Sequence, residues 1–268
     1  MPRLTDLPTI RALLDRDRDW AAYAIGDLAP GLVEHCEWYA PANISAAPAL
    51  VLLYRGFTPP IVFAMGPAQA QPGLFAEVSA PEISLHVKPE AVAAMTGIYT
   101  PTDTRVMRRM TLSGTRFVPA PHQEVRPVGE HDLAAVAALH DDGHRRGEGP
   151  TFFHAPMLRQ NTFRGIWEDG ALVAVAGTHL YSRELGVCAI GNVYTRSDRR
   201  RRGLGAQVTS AVAAHALADA IPTMILNVGR DNAAAERVYQ RLGFDVCCEF
   251  LEGEATRVPG VVTAPTPE

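Results

Sequence analysis

Two glycines and a run of arginines lie between a predicted apolar strand and a predicted apolar helix. The strand ends at Val193, the link contains the pattern Arg200-x-x-Gly203-x-Gly205, and the helix covers 206–218. The first turn of a helix offers free backbone N–H groups and the positive end of the helix dipole. Glycine lets an anion come close to the backbone, and arginine adds charge-assisted hydrogen bonds. The pattern therefore predicts a cradle for a pyrophosphate group.

The arginine run has two further interpretations. Arg199–Arg202 is also what a solvated basic face or a nucleic-acid contact would present. A lone G-x-G is a weak signal, and the Walker pattern G-x-x-x-x-G-K-[ST] is absent. This segment alone leaves the three interpretations open.

A second polar pattern comes after the buried strand predicted for 222–228. Asn232, Ala235 and Tyr239 recur at helical spacing and share one face of a helix that is predicted to stop at Gly243. Asn232 and Tyr239 are two turns apart, roughly 10 Å along the axis, and the small Ala235 leaves room for a ligand between them. As alternatives, Asn232 is a plain N-cap and Tyr239 is a packed core residue.

Together the two segments resemble the GCN5-related N-acetyltransferase (GNAT) family. The first motif looks like the family's acyl-CoA pyrophosphate loop. The second, continued by Leu242-Gly243-Phe244, looks like its N-x-x-A-x-x-x-Y-x-x-x-G-F helix. The resemblance spans 124–250. It implies an α/β protein with the acyl-CoA N-acyltransferase (GNAT) fold, which has a mixed central sheet, and it implies acetyl-CoA as the acyl donor.

In that family the strand before the loop pairs with the pantetheine arm through its main chain. Here the strand end is 192–195, and Gly191 could permit a bulge that aims the amide of Asn192 or Val193 at the thioester carbonyl. Backbone N–H groups of 201–206 would hold the pyrophosphate. The residues that the resemblance assigns to the cofactor are Asn192, Val193, Tyr194, Thr195, Arg200, Arg201, Arg202, Gly203, Leu204, Gly205, Ala206, Asn232 and Ala235.

Acetyl transfer from a thioester needs a neutral amine and a proton donor for the leaving thiolate. Tyr239 is the expected general acid at the CoA sulfur. A phenol with a pKa of about 10 can donate a proton to the leaving thiolate, whose thiol has a pKa of about 8.5. No carboxylate occupies 187–190, where some relatives carry a glutamate. Glu148, in a Gly/Pro loop, and His179, on a strand, are the candidate bases, with a water chain as the alternative. Four aromatic side chains are candidates for the acceptor pocket or for plain packing: Phe152, Phe153, His154 and Tyr181.

Length and composition agree with a soluble enzyme of one large domain or two small ones. The 268 residues carry a formal charge of −4, which argues against dedicated nucleic-acid binding. The four cysteines lack metal-ligand spacing, and the N-terminus has no basic-then-apolar signal. No apolar run reaches membrane-spanning length. We therefore expect a cytoplasmic protein without a metal, a nucleic-acid partner or a membrane segment, and we leave a homodimer open.

A proline-bearing, aperiodic segment at 116–123 is the expected domain boundary. We expect an N-terminal α/β domain at 1–118 and a catalytic GNAT domain at 119–254, completed by a strand near 245–251. Residues 255–268 carry three prolines and are expected to form a disordered tail.

The first half of the chain lacks both cofactor motifs. Its pattern predicts a helix at 10–28, a strand hairpin through Pro59-Pro60, and a further α/β succession up to 112. We interpret it as a degenerate copy of the GNAT fold. An unrelated α/β domain is the alternative.

The expected function is that of an N-acetyltransferase. It would transfer an acetyl group from acetyl-CoA to a primary amine, of a small molecule or of a peptide or protein, by direct attack in a ternary complex. An acyl-CoA-binding regulatory module without turnover is the alternative, and the presence of Tyr239 argues against it. A nucleic-acid binder is disfavoured by the net negative charge.

Overall fold

A computed structural model of the protein describes residues 3–121, 124–150, 152–160 and 162–260. These residues form two compact units. Unit 1 contains the described residues of Met1–Arg109 and Cys247–Glu268, and unit 2 contains those of Met110–Val246. Among the helices of this part of the chain, none combines the length and the apolar character needed to cross a membrane.

Helices and strands alternate along both units. The α-helices of the described residues are α1 (Leu7–Leu14), α2 (Arg18–Gly26), α3 (Pro72–Glu77), α4 (Pro89–Ala94), α5 (Leu133–His144), α6 (Met157–Gln160), α7 (Leu204–Ala218) and α8 (Ala233–Arg241). The strands are β1 (Cys36–Tyr39), β2 (Leu50–Tyr54), β3 (Ile61–Met65), β4 (Glu82–Val87), β5 (Tyr99–Thr111), β6 (Arg126–Pro127), β7 (Phe163–Glu168), β8 (Ala171–Ser182), β9 (Val187–Thr195), β10 (Thr223–Gly229) and β11 (Asp245–Arg257).

Unit 1 is built on a buried antiparallel hairpin. β2 and β3 pair from Leu50/Met65 to Tyr54/Ile61, as the two apolar runs of the sequence predict. β3 then pairs in parallel with β4, and α3 connects the two strands. The sheet of this unit has the strand order β1-β2-β3-β4-β11-β5.

The single helix predicted at 10–28 is two helices, α1 and α2. A 3₁₀ turn at Asp15–Asp17 separates them. Asp17 then acts as the N-cap of α2, because its Oδ1 accepts a hydrogen bond of 3.2 Å from the backbone N–H of Trp20. A short acidic side chain satisfies a free N–H at a helix start, so it favours a new helix over the continuation of the old one.

Unit 2 is a sheet with helices on both faces. Its strand order is β6-β7-β8-β9-β10, with antiparallel pairs up to β9 and a parallel pair between β9 and β10. One face carries a buried cluster that includes Val208 and Val212 of α7. The other face carries a second cluster that includes Val136 and Leu139 of α5. This is the predicted α/β fold with a mixed sheet.

β11 differs from the expectation in its partner and its length. It pairs antiparallel with β4 in unit 1, from Leu251/Val87 to Thr256/Glu82, whereas the sequence led us to assign it to the catalytic domain. The strand also runs through 255–257, which were expected to be disordered. Ala255 is 1% exposed, because it faces the core of unit 1. Residues 261–268 lie outside the described residues.

The predicted boundary segment at 116–123 is attached to unit 2. The backbone N–H of Val118 donates to the carbonyl of Leu242, and the N–H of Ala120 donates to Ser210 Oγ. His122 and Gln123 of this segment lie outside the described residues. The compact units therefore have different limits from the predicted ranges, because pairing along β11 and these two hydrogen bonds are not visible in local sequence patterns.

Candidate active site

β9 and β10 part at the carboxyl end of their parallel pairing. The register runs from Val187/Thr223 to Ile190/Leu226. β9 continues to Thr195 and β10 to Gly229, and within the described chain no further residues of the two strands are in register. Beyond these residues β9 and β10 do not pair with each other, and an extended chain that lies between two strands pairs with such main chain.

A bulge lies on β9 next to this opening. Gly177 of β8 is opposite Gly191 and Val175 is opposite Tyr194, so two residues, Asn192 and Val193, face one residue of β8. The φ of Asn192 is +52°, a left-handed value that asparagine tolerates better than most residues. The predicted bulge is present, but Asn192, rather than Gly191, adopts the left-handed conformation.

The Asn192 side chain is turned into unit 2. It is 5% exposed, and its Nδ2 lies 4.0 Å from the sulfur of Met157. Its Oδ1 has no hydrogen-bond partner in the described part of the chain. The assignment of Asn192 to the cofactor thus concerns its main chain, whereas its carboxamide faces the helix layer of α6.

The link to α7 ends at a glycine in the left-handed conformation. Gly203 has a φ of +79° and precedes Leu204, the first residue of the 15-residue helix. The first helical hydrogen bond runs from the N–H of Gln207 to the carbonyl of Gly203 at 3.1 Å. The N–H groups of Leu204, Gly205 and Ala206 precede this bond, so they have no acceptor within the helix. A Cβ on Gly203 would meet nothing closer than 3.9 Å, which leaves the approach to these groups open.

The carboxylate of Glu168 holds two of the four arginines in place. Arg199 Nε and Arg202 Nη2 lie 2.9 Å and 2.8 Å from the two carboxylate oxygens of Glu168 on β7. Arg201 has a left-handed φ of +63°, which belongs to the turn that leads into the helix. The run is therefore a partly neutralised, ordered loop, which weakens the alternative of a free basic face for nucleic acid.

Arg200 contacts one of the two candidate bases. Its Nη2 lies 2.5 Å from Glu148 Oε2, and its guanidinium lies 5.6 Å from the centre of the Tyr194 ring. The hydrogen bond and the charge of Arg200 lower the pKa of the Glu148 carboxyl. Since a carboxylate that is stabilised in its charged form is a weaker base, Glu148 is poorly suited to deprotonate an amine.

Asp142 is a site residue that the sequence analysis missed. Its carboxylate accepts hydrogen bonds from the Tyr194 hydroxyl at 2.8 Å and from the backbone N–H of Ser197 at 3.0 Å. The Ser197 N–H is the largest contributor to a pKa of about 2. Asp142 thereby anchors the end of β9 and the start of the phosphate loop. It lies near the end of α5, which extends to His144, and no sequence motif identifies it.

α8 has the predicted start and end. Asn232 is the N-cap, and its Oδ1 accepts a hydrogen bond of 3.1 Å from the N–H of Ala235. Gly243 has a φ of +98°, and the N–H of Phe244 donates to the carbonyl of Tyr239. The N-cap interpretation of Asn232 is therefore correct, and its Nδ2 is the part that remains for a cofactor.

Tyr239 is buried on the inner face of α8. It is 8% exposed, and its ring meets that of Phe244 edge-on at 6.2 Å. Burial raises the pKa of its phenol to about 12. The packing interpretation is therefore correct, because the ring belongs to the core, and the catalytic interpretation stays a prediction. The phenol stays protonated over the whole neutral range.

His179 lies beside the bulge of β9. It is the extra residue between Thr178 and Leu180, which are opposite the consecutive residues Ile190 and Ala189. A Cβ on Gly191 would lie 2.4 Å from its ring, so the half-buried imidazole lies directly against the Gly191 backbone. Of the two candidate bases, His179 is the one placed next to the opening.

The four aromatic candidates for the acceptor pocket separate into two groups. Phe152 contacts His179 edge-on at 5.7 Å and His154 at 5.5 Å, which places this pair beside the candidate base. Phe153 meets Phe163 at 6.1 Å in the second core cluster. The hydroxyl of Tyr181 donates to Asp219 Oδ2 at 2.5 Å, so this side chain is attached to the end of α7.

The comparisons with known proteins agree with this geometry. The model of the acetyltransferase (GNAT) family matches residues 130–244. An L-methionine sulfoximine/L-methionine sulfone acetyltransferase from Pseudomonas paraeruginosa is 36% identical over 140 residues, which are 46% of this chain and 80% of that protein. The chain belongs to the GNAT acetyltransferase family.

Further relatives of this GNAT chain extend the comparison. A mycothiol acetyltransferase from Streptomyces scabiei is 31% identical over 156 residues, or 52% of this chain, and the match spans half the length of that relative. A solved GCN5-related N-acetyltransferase from Kribbella flavida has a TM-score of 0.59 at 18% identity and covers 90% of this chain and 96% of its own. At that identity the likeness concerns the fold. Among the described residues of the GNAT chain, no three His, Cys, Asp or Glu side chains are grouped so that they could hold a metal ion.

Proposed function

We propose that this GNAT protein transfers an acetyl group from acetyl-CoA to the primary amine of a small molecule or a peptide. The observation that carries the proposal is the parting of β9 and β10 beyond Ile190 and Leu226, next to the glycine-capped start of α7 at Gly203. Beyond the parting the two strands do not pair with each other, so an extended pantetheine arm fits between them, and the helix start offers N–H groups to a pyrophosphate.

The donor would lie along the end of β9. The main chain of 192–195 pairs with the pantetheine amides, and N–H groups of 201–206 bind the pyrophosphate. The Nδ2 of Asn232, which is not needed for the N-cap bond, donates to the cofactor from the other side of the opening. Glu168 and Glu148 keep the arginine side chains ordered, so the loop conformation exists before the donor binds.

The amine attacks the thioester carbon while donor and acceptor are both bound. His179 takes a proton from the nitrogen as the C–N bond forms, and the developing oxyanion accepts a hydrogen bond from the main-chain N–H of Asn192 or Val193. The C–S bond then breaks, and the phenol of Tyr239 donates its proton to the leaving sulfur. The pKa of about 12 keeps the phenol of Tyr239 protonated at the start of each turnover, although burial makes it a weaker acid than an exposed tyrosine.

We propose that the acceptor is a small molecule rather than a protein. Both relatives described above are named for acetylation of small molecules, mycothiol and L-methionine sulfoximine or sulfone. The aromatic side chains of Phe152 and His154 at the His179 side of the opening suit a compact acceptor with an apolar part.

The test is turnover with a panel of amines. Polyamines, amino acids, aminoglycosides and peptides with free N-termini are offered one at a time with acetyl-CoA, and release of the CoA thiol is recorded. We expect amine-dependent release that falls at least tenfold in His179→Gln. His131→Gln, at a histidine whose side chain is 85% exposed, is the matched control and should retain full turnover. Acetyl-CoA binding without turnover for every amine would favour the regulatory module, and absence of acetyl-CoA binding would overturn the proposal.

A further inference from the structure

Unit 1 contains a cleft at the carboxyl ends of its own parallel strands. Its volume is about 320 Å³, and it lies where β3 ends at Ala64 and Met65 and where Lys88 comes directly after β4. Trp20 of α2 and Gln71, which comes just before α3, also line this cleft. The carboxyl ends of parallel strands in α/β sheets are where ligands bind. The family match at 130–244 does not include any of these residues.

The oxygen of a buried carboxamide in this cleft lacks a hydrogen-bond partner among the described residues. Gln71 is 1% exposed, and its Nε2 donates to the carbonyl of Gly66 at 2.9 Å. Its Oε1 is buried and has no partner in the described part of the chain. Buried acceptors are almost always satisfied, because an unpaired one costs the full desolvation of the group. A ligand that brings an N–H donor into the cleft would satisfy this oxygen.

The cleft also holds both signs of charge in close contact. Lys88 Nζ lies 2.9 Å from Asp17 Oδ2 and 5.3 Å from the centre of the Trp20 ring. Arg16 and Glu90 add a second cation and a second anion to the lining. A simple anion or a simple cation would match only one half of this set. A molecule with an ammonium and a carboxylate on neighbouring atoms matches both halves at the spacing of the Lys88–Asp17 pair.

We propose that unit 1 binds a free α-amino acid in this cleft. The ammonium of the ligand donates to Gln71 Oε1 and to the Asp17 carboxylate. Its carboxylate accepts from Lys88 and Arg16, and its side chain lies against the indole of Trp20. This site is independent of the acetyl-transfer site proposed for unit 2, and it gives the unit without cofactor motifs a ligand of its own.

The test measures binding to the full chain in the absence of acetyl-CoA. The twenty proteinogenic L-amino acids are titrated one at a time by calorimetry. We expect saturable binding of at least one of them, weakened at least tenfold when its amine is acetylated and at least tenfold when its carboxylate is converted to the amide. Because no acyl donor is present, the result does not depend on whether the protein is an acetyltransferase.

Variants assign the binding to the cleft. Gln71→Leu removes the unpaired acceptor, and Lys88→Met removes the ammonium while keeping most of the apolar stem. Each should weaken amino-acid binding at least tenfold, whereas Gly203→Val in unit 2 should leave it unchanged. If no amino acid binds, or if binding persists in folded Lys88→Met, the proposal is wrong. In the second case the amino acid would occupy the acceptor site of unit 2 instead.

Discussion

Units 1 and 2 share one succession of elements but differ at the place where that succession could bind a cofactor. In each unit an antiparallel hairpin is succeeded by a helix and a parallel strand: β2, β3, α3 and β4 in one, β8, β9, α7 and β10 in the other. In each unit the parallel pairing stops before the strands end, after Phe63/His86 and after Ile190/Leu226. This common order supports the prediction that unit 1 is a degenerate copy of the GNAT fold, which stays a prediction.

The two units differ in the residues beyond the last paired position. In unit 1 the carbonyl of Ala64 accepts a hydrogen bond of 2.9 Å from Trp20 Nε1, so a protein side chain satisfies it. α3 has six residues, and Pro72 at its start has no N–H to offer. In unit 2 the strand bulges at Asn192, and the fifteen-residue α7 begins after Gly203. Unit 2 thus combines parted parallel strands with a long, glycine-capped helix, and unit 1 does not, which is why the acyl-CoA site is proposed in unit 2.

The largest expected effect comes from removing the indole of unit 1. Trp20 is 1% exposed, and replacing it by alanine should lower the free energy of unfolding by about 3–5 kcal/mol, measured by chemical denaturation. Trp20→Phe keeps most of the packing and should cost less. Neither variant should gain acetyl-CoA binding, since α3 still lacks a cradle. If calorimetric titration finds two acetyl-CoA sites per chain in Trp20→Ala, the indole alone explains why unit 1 does not bind acetyl-CoA.

The second effect concerns the phenol of Tyr239 on α8. The corresponding helix of unit 1, α4, contains no tyrosine. Tyr239→Phe should lower kcat by about 10²-fold with little change in acetyl-CoA affinity, because proton donation to the leaving sulfur is lost. Tyr181→Phe is the matched control, since that hydroxyl bonds Asp219 away from the opening. Wild-type kcat in Tyr239→Phe, with chemistry shown to limit the rate, would remove Tyr239 from the mechanism.

The third effect tests the glycine-capped helix of unit 2. Gly203→Val adds a β-branched side chain at a left-handed φ and should weaken acetyl-CoA binding at least tenfold, about 1.4 kcal/mol, by calorimetry. Gly97→Val in unit 1 is the control, because Gly97 has the same φ of +79° and nothing within 4 Å of its added Cβ. The wild-type titration should give one acetyl-CoA per chain. Equal losses of affinity in both variants would mean that the effect is one of general destabilisation.

The smallest effect concerns the acid that anchors the phosphate loop of unit 2. The folded-state pKa of Asp142 lies near 2, below its ordinary value of 3.8, so its stabilisation is complete above that value and is lost as the pH falls towards 2. Asp142→Asn should lower stability at pH 7 by about 1 kcal/mol and should remove this part of the acid sensitivity. Asp169→Asn, at an exposed residue between β7 and β8, is the matched control and should lower stability less. The measurement is the free energy of unfolding of the wild type and both variants between pH 5 and pH 2.

The sequence predicted those features that are encoded locally. The N-cap at Asn232, the helix end at Gly243 and the glycine-bearing link before α7 depend on residues within one or two turns of each other. The sequence did not predict that Asn192 carries the left-handed bulge or that Asp142 anchors the loop. Both depend on partners in other elements, since the bulge is defined by β8 and the carboxylate bonds Tyr194 and Ser197.

Strand partners were the hardest feature to predict. The sequence predicts a strand near 245–251, but it does not say which edge of a sheet the strand joins. The choice between the two candidate bases could not be predicted from the sequence either, because it depends on contacts in space. Both Glu148 and His179 are residue types that act as general bases, and the ion pair with Arg200 and the position against Gly191 distinguish them.

The pairing of β11 with β4 has a consequence for how the protein is made. Glu82 and Thr256 are partners in the sheet of unit 1, although the whole of unit 2 is translated between them. While the ribosome synthesises unit 2, the edge of β4 has no β11 to pair with, and its free N–H and C=O groups can meet strands of neighbouring nascent chains. Unit 1 is therefore the first unit to be synthesised and the last to complete its fold. We expect the cellular yield of this protein to depend on chaperones that shield β4 during elongation.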